Sequence, residues 1–324
     1  MMLRNKLFGR NKIKTIGFWA GDENNFQFVD SLIEALSQKY KVKKYNYFGD
    51  KKLLEQQLGE VDLAWFEWAT DPLISATNMK KLPKIISRAH RYELYSEAPR
   101  RVSWSRIDLA IFSSPSMLQR FENTYSDEFS QTKETLYLPI GVDLSKFAFE
   151  DKDYSKELLY VGRVHPHKNP CMLLQVMHEV VKRDSDYHLT IVGEASDELY
   201  QQYVDDQLHK LNLKSSVSLL GKLEQGEVVK RMNRADHILT TSIIEGVSQS
   251  SLEAMACGAG PIVSNYYGAS LVYEAKDLFL TPSEAATRIL KAENDRRANR
   301  VFIEEDFNFD KTVDVIEDRI EKIL

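Results

Sequence analysis

Several things are scarce in this sequence, and each absence excludes something. There are two cysteines, Cys171 and Cys257, far apart and outside any C-x-x-C or Cys/His cluster. That spacing offers no thiolate metal site and no disulfide framework, and two lone thiols fit a reducing cytoplasm. No stretch approaches the roughly 18 consecutive apolar residues of a membrane-spanning helix. The first residues, MMLRNKLFGRNKIK, are basic but lack an apolar core and a small-residue cleavage site, so they do not read as a secretory signal. An excess of positive charge is missing too. The net charge is −5, which speaks against a nucleic-acid partner held by global charge. Low-complexity segments and repeats of 20–50 residues are absent.

What is present is a chain of 324 residues with 43% hydrophobic and 28% charged residues, enough for two cores of ordinary size. Short apolar runs alternate with longer amphipathic segments throughout. In the first half the runs are 13–19, 42–47, 61–65, 84–87, 109–112 and 135–138; in the second they are 158–161, 188–192, 217–220, 237–240 and 261–263. Phe28, Leu32, Ile33 and Leu36 recur at helical steps, as do residues in 114–125, 170–182, 196–211, 225–234 and 250–257. Strand and helix in alternation predict βα units on parallel sheets. Two such blocks predict two doubly wound α/β domains, 1–148 and 149–324. The charged run Glu150-Asp151-Lys152-Asp153 marks the boundary. The last stretch, 311–324, carries Val313, Ile316, Ile320 and Ile323, an amphipathic helix expected to pack back on the first domain. In doubly wound sheets ligands bind beyond the carboxyl ends of the strands, so two facing sheets would hold the active site in the cleft between them.

The residues that follow the strands are chemically informative. Glu245-Gly246-Val247-Ser248-Gln249-Ser250-Ser251-Leu252-Glu253-Ala254-Met255-Ala256-Cys257-Gly258 follows the run 237–240. Small polar residues lie where a helix begins, and a helix amino terminus suits a phosphate. A carboxylate ahead of it, Glu245, can accept from sugar hydroxyls, and one two turns along, Glu253, from ribose hydroxyls. The plain alternative is a βα turn with a surface glutamate. Upstream, Leu159-Tyr160-Val161-Gly162-Arg163 ends a strand in Gly-Arg, with Lys168 five residues on. Arg163 offers a planar fork and Lys168 a mobile point charge for phosphate oxygens. Alone, these would read as two solvated cations.

Together these stretches resemble the retaining glycosyltransferases of family 4, whose E-x7-E signature is close to E-G-x-G-x-x-x-x-E-A-M-A-x-G. Glu245, Gly246, Glu253, Ala254, Met255, Ala256 and Gly258 match, and Ser248 stands where the family commonly has a second glycine. Ile191-Val192-Gly193, Val217-Ser218-Leu219-Leu220-Gly221, Tyr267-Gly268 and Leu138-Pro139-Ile140-Gly141-Val142-Asp143 resemble further family segments in the same order. The likeness is continuous over about residues 138–275. It implies the GT-B fold, two Rossmann-like domains, with a donor site built from Gly162, Arg163, Lys168, Gly221, Glu245, Gly246, Val247, Ser248, Gln249 and Glu253. Gly21, in the thin loop Gly17-Phe18-Trp19-Ala20-Gly21, lies where the family has a glycine-rich loop; the plain reading is an ordinary βα turn. His90, after the run 84–87, matches a family histidine near the transferred sugar; the plain reading is a capping or surface histidine.

The implied activity is sugar transfer with retention, from a nucleotide sugar, UDP-linked by preference, to a hydroxyl of a glycan or lipid-linked acceptor in surface polysaccharide synthesis. Arg163, Lys168, Glu245 and His90 would carry catalysis, with no metal and no cofactor. Asp184-Ser185-Asp186 has the form D-x-D but reads as a surface loop. Segment 80–106 is basic, with Arg88, Arg91 and Tyr92 as acceptor-contacting candidates. It suits an anionic acceptor or the inner membrane surface, or is merely a solvated face. Glu67, in Trp65-Phe66-Glu67-Trp68, is either part of the core or a contact to the acceptor. The rival readings are a nucleotide-sugar epimerase on the same architecture and a catalytically silent scaffold.

Overall fold

A computed structural model describes residues 13–20, 26, 29–291 and 294–324. Gly21 and Phe28 lie outside the described residues. The chain divides into two compact units. One comprises Met1–Phe112, Met117–Leu138 and Val313–Leu324, the other Ser113–Ser116 and Pro139–Thr312.

The first unit carries a parallel six-stranded sheet. Its strands are β1 (Thr15–Trp19), β2 (Lys41–Tyr45), β3 (Leu63–Glu67), β4 (Lys84–Ala89), β5 (Leu109–Phe112) and β6 (Thr135–Tyr137), in the order β2-β1-β3-β4-β5-β6. All five residues of β3 are buried, which is why it reads as a continuous apolar run. One face packs a core of Trp19, Phe66, Trp104, Phe112 and Phe121. The edge strand β2 is only half-buried. The helices α1 (Asp30–Leu36), α4 (Pro115–Thr124), α7 (Glu198–Lys210) and α8 (Gln225–Arg234) of the chain lie where helical spacing was read, whereas three short helices gave no sequence signal. The helix α2 (Lys51–Leu58) is capped by Asp50, which accepts from the backbone of Lys52 and Leu53. The others, α3 (Asp71–Thr77) and α5 (Ser126–Gln131), span fewer than two turns, too few for a 3.6-residue period to show.

The second unit carries β7 (Glu157–Val161), β8 (His188–Val192), β9 (Val217–Leu219), β10 (His237–Thr240), β11 (Gly260–Ser264) and β12 (Leu278–Phe279), all parallel, in the order β12-β11-β10-β7-β8-β9. Apolar clusters cover both faces. The helices that matter for the site are α6 (Pro170–Val181) after β7 and α9 (Gln249–Ala256) after β10. Two further helices, α10 (Pro282–Lys291) and α11 (Arg296–Asp306), were not expected from the sequence.

The division falls at Leu138/Pro139, ahead of the charged run that suggested residue 148. Residues 139–148 are fastened to the second unit. The Val142 N–H donates to the Phe307 carbonyl at 2.7 Å, and Gln249 Nε2 donates to the Gly141 carbonyl at 2.8 Å. The final helix, α12 (Phe309–Ile323), buries Ile316 and Ile320. Its later turns belong to the first unit, where Arg319 donates to Glu134 at 2.8 Å and Lys39 pairs with Glu317 and Glu321.

Candidate functional site

In each unit the strand order reverses once, and a doubly wound sheet opens a crevice at that point. In the second unit the reversal lies between β7 and β10. The three strands on one side of it end in glycine: Gly162 after β7, Gly193 after β8 and Gly221 a step beyond β9. Gly193 has φ +134° and donates its N–H to the Gly221 carbonyl at 2.8 Å. A Cβ there would lie 2.0 Å from the Gly162 carbonyl oxygen, so any side chain would force the loops apart.

Beyond Gly162 the chain runs through Arg163 into a tight turn, Pro166–Lys168, and Asn169 caps α6 by accepting from the Met172 N–H at 3.2 Å. The loop after β10 is laced to this turn. The Thr241 hydroxyl donates to the Lys168 carbonyl at 2.8 Å, and the Ile243 N–H to the His167 carbonyl at 2.9 Å. These bonds bring Lys168 Nζ onto Glu245 Oε1, across 77 residues of sequence. The Ser242 hydroxyl donates to the same oxygen at 2.9 Å. Arg163 is exposed and has no acidic partner among the described residues.

The first turn of α9 is seated on β7, with the Ser250 hydroxyl donating to the Val161 carbonyl at 2.8 Å. Ser248 is the residue before the helix, and its side chain makes no capping bond to the first-turn amides. Glu253 lies on the second turn. Burial pushes its carboxyl up to about 7, against the opposing effect of a hydrogen bond with Gln249. Gly246 is buried and Val247 half-buried in the same loop. The expected donor-site residues that follow β7 and β10 therefore gather at one strand reversal, while Gly221, beyond the edge strand β9, is tied to them through its bond from Gly193. The Asp184-Ser185-Asp186 triplet lies elsewhere, with both carboxylates on Lys156 at 2.9 and 3.0 Å, just before β7 begins.

In the first unit the carboxyl ends of β3 and β4 are sealed by a buried polar network. Glu67 is 1% exposed and Arg88 2%. Arg88 Nε donates to Glu67 Oε1 at 2.8 Å, and Trp65 Nε1 donates to Glu67 Oε2 at 2.8 Å. His90 Nε2 lies 2.6 Å from Glu67 Oε1. Burial disfavours the Glu67 carboxylate, but the Arg88 charge, with His90 beside it, outweighs that and holds the group down at about 2. Glu93 is fully buried and accepts from the backbone of Ala69 at 3.0 Å and of His90 at 2.8 Å. Burial drives its carboxyl pKa upward.

This network corrects one expectation. Arg88 does not stand on a basic surface facing an acceptor; its guanidinium neutralises Glu67 inside the unit. Glu67 likewise belongs to the interior. Arg91 is half-buried and Tyr92 is 73% exposed, both just past His90. Glu67 and Glu93 are the functional-region residues that sequence reasoning left unassigned. The available signal was a charge at 67 inside an otherwise apolar strand. The rest of the basic segment is scattered. Arg100 pairs with Glu97 and Glu128, and Arg101 with Asp71. Lys80, Lys81, Lys84 and Arg106 line a groove of about 890 Å³ with Lys133 at the amino-terminal ends of the strands, opposite His90. Among the described residues no helix is long and apolar enough to cross a membrane.

Comparison with known proteins agrees with this layout. Residues 143–308 match the family described as glycosyl transferases group 1. The chain is 24% identical over 292 residues to the Campylobacter jejuni GalNAc-α-(1→4)-GalNAc-α-(1→3)-diNAcBac-PP-undecaprenol α-1,4-N-acetyl-D-galactosaminyltransferase, covering 85% of this chain and 76% of that one. It is 31% identical over 160 residues to the Drosophila melanogaster tRNA-queuosine α-mannosyltransferase, covering 48% of this chain and 41% of that one. Its fold is similar to that of Anabaena Alr3699/HepE, solved in complex with UDP and glucose, with a TM-score of 0.76 and 16% identity over 95% of this chain and all of that one. The two Rossmann-like units are those of the GT-B class. The match spans half of the chain and contains the whole Arg163-to-Glu253 constellation, and this chain belongs to the group 1 glycosyl transferase family.

Proposed function

We propose that this glycosyltransferase moves a sugar, with retention, from a UDP-sugar to a hydroxyl of a polyprenol-diphosphate-linked glycan. The observation that carries the reading is the meeting of Lys168 and Glu245 beside Arg163 at the β7/β10 reversal. Arg163, Lys168 and the amino terminus of α9 hold the donor diphosphate. Glu253 accepts from the ribose hydroxyls and Glu245 from the sugar. In the reaction the bond from the anomeric carbon to the phosphate oxygen breaks and a bond to the acceptor oxygen forms on the same face. The acceptor proton passes to the leaving diphosphate, whose growing charge the two cations and the helix stabilise. Positive charge from the protein serves where a metal would otherwise act, so turnover should persist in EDTA. His90, held by Glu67, serves the transferred sugar, and the first unit recognises the acceptor.

Two comparisons support the finer points. The neighbour solved with UDP and glucose supports a uridine donor. The Campylobacter relative is named for an undecaprenol-diphosphate acceptor, and its match over 85% of this chain extends well into the first unit. A lipid-linked acceptor would bring the enzyme to the inner membrane surface. The test is incubation of the full chain with radiolabelled UDP-sugars and undecaprenol-diphosphate glycans, followed by analysis for free UDP, the anomer of the product and any epimerised donor. A retained α-product with release of UDP supports the reading. Epimerised donor without transfer, or no chemistry with any nucleotide sugar, overturns it in favour of the two rivals.

A further inference from the structure

The two cations of the donor motif are not equivalent in the ligand-free protein. Arg163 is exposed and has no acidic partner among the described residues, whereas Lys168 is already neutralised by Glu245. That pair is built in. Thr241 fixes the backbone on the lysine side of the contact. On the glutamate side, Ser242 donates to the same carboxylate oxygen and is itself anchored by the Ser264 hydroxyl, which donates to its carbonyl at 2.7 Å. The side chains are 29% and 12% exposed, shielded enough to attract one another well yet open enough for a ligand to reach.

An arriving diphosphate meets a lysine whose charge is in use and a carboxylate of its own sign. We infer that Glu245 is an internal competitor of the donor diphosphate: it holds Lys168 in the absence of a sugar and yields it only when sugar hydroxyls draw the carboxylate away. The inference rests on the donor-site reading given above and adds a discrimination to it. A nucleotide sugar brings hydroxyl donors that satisfy Glu245 and free Lys168 for the phosphates. A bare nucleoside diphosphate brings none, so Glu245 stays on Lys168 and binding is weaker than the two cations alone would allow. After transfer the sugar has left, Glu245 returns to Lys168, and the product diphosphate is pushed out. One side chain thereby sets both selection of the charged donor and release of the spent one.

The sign of the effect makes this testable, because removing a site carboxylate should tighten a ligand. Calorimetric titrations with UDP, and with inorganic pyrophosphate as a probe that carries no base, would compare wild type, Glu245→Gln, Lys168→Met, the double variant and Arg163→Ala. Glu245→Gln should bind UDP and pyrophosphate on the order of 5-fold more tightly than wild type, the size expected for freeing one partner of a partly shielded ion pair. In the Lys168→Met background the tightening should shrink to what relief of direct repulsion between the carboxylate and the phosphates supplies, and the two changes should be non-additive. Arg163→Ala should weaken both probes whatever stands at 245. Unchanged or weaker binding by Glu245→Gln, or a tightening just as large without Lys168, overturns the competition while leaving the donor site standing if Arg163→Ala still weakens binding. If Arg163→Ala leaves both probes untouched, the donor-site reading falls and the competition falls with it.

Discussion

The carboxyl ends of the two sheets are finished in opposite ways. In the first unit the edge is closed by large and charged side chains, with Glu67 gripped by Arg88, Trp65 and His90 and the carboxyl of Glu93 turned onto backbone amides. In the second it is opened by small residues: Gly162, Gly193 and Gly221, then serines ahead of α9. One edge spends its side chains on one another and so fixes a histidine. The other clears side chains away, and under the proposed function backbone, a helix terminus and two cations meet a phosphate there. Glu67 and Glu253 also sit on opposite sides of the ordinary value, although Glu93 is raised by burial as Glu253 is. Glu67 is held down at about 2 by Arg88 against the effect of burial, whereas Glu253 is pushed up to about 7 by burial against a hydrogen bond with Gln249.

The contrast is broken most severely at Glu67. Glu67→Gln leaves the buried Arg88 charge uncompensated, and breaking a buried pair from one side costs about 3–5 kcal/mol. Urea unfolding should show that loss, and Glu67→Gln with Arg88→Met should recover part of it; equal stability of the single and double variants would mean the pair is not what holds the edge. On the open edge Arg163→Ala should leave stability almost unchanged but cut turnover by about 10²–10³, since it removes one preorganised partner of the leaving group. Near-normal turnover at saturating donor would strip Arg163 of that role.

His90 is held by Glu67 on the closed edge, and the proposed function assigns it to the sugar. His90→Ala should lower transfer by about 10²-fold while leaving UDP affinity alone. A matching loss of UDP affinity in calorimetry would move His90 out of the sugar-contacting role.

The remaining effect is in the pH dependence. Glu67 has a depressed folded pKa, so its stabilisation is complete above about 4.5 and is lost as pH falls toward 2. Glu253 has a raised one, so its contribution is complete below about 4.5 and is lost as pH rises through 7. Between pH 5 and pH 8, wild type should therefore lose thermal stability relative to Glu253→Gln. Parallel melting curves for the two proteins over that range would show that Glu253 titrates normally.

Much of the second unit was legible in the residues themselves. Leu158 to Val161 and His237 to Thr240 are short apolar runs with a change of period after them. Gly162, Arg163, Lys168, Glu245 and Glu253 follow those strands at spacings that only a βα turn explains, and they resemble a known family segment by segment. Such signals are local, because a strand followed by a turn and a helix start is written in consecutive residues. What tertiary structure alone decided lies across long gaps in sequence. It turned Arg88 from a surface cation into the counter-charge of Glu67, and it divided segment 80–106 between opposite ends of one sheet. It fastened residues 139–148 to the second unit through Gly141 and Val142. It also put Lys168 on Glu245, 77 residues away, through bonds from Thr241 and Ile243 that no spacing announces. Whether a charge meets water, a ligand or an opposite charge depends on which strands the fold sets side by side, and strand order is a property of the packed sheet rather than of any one segment.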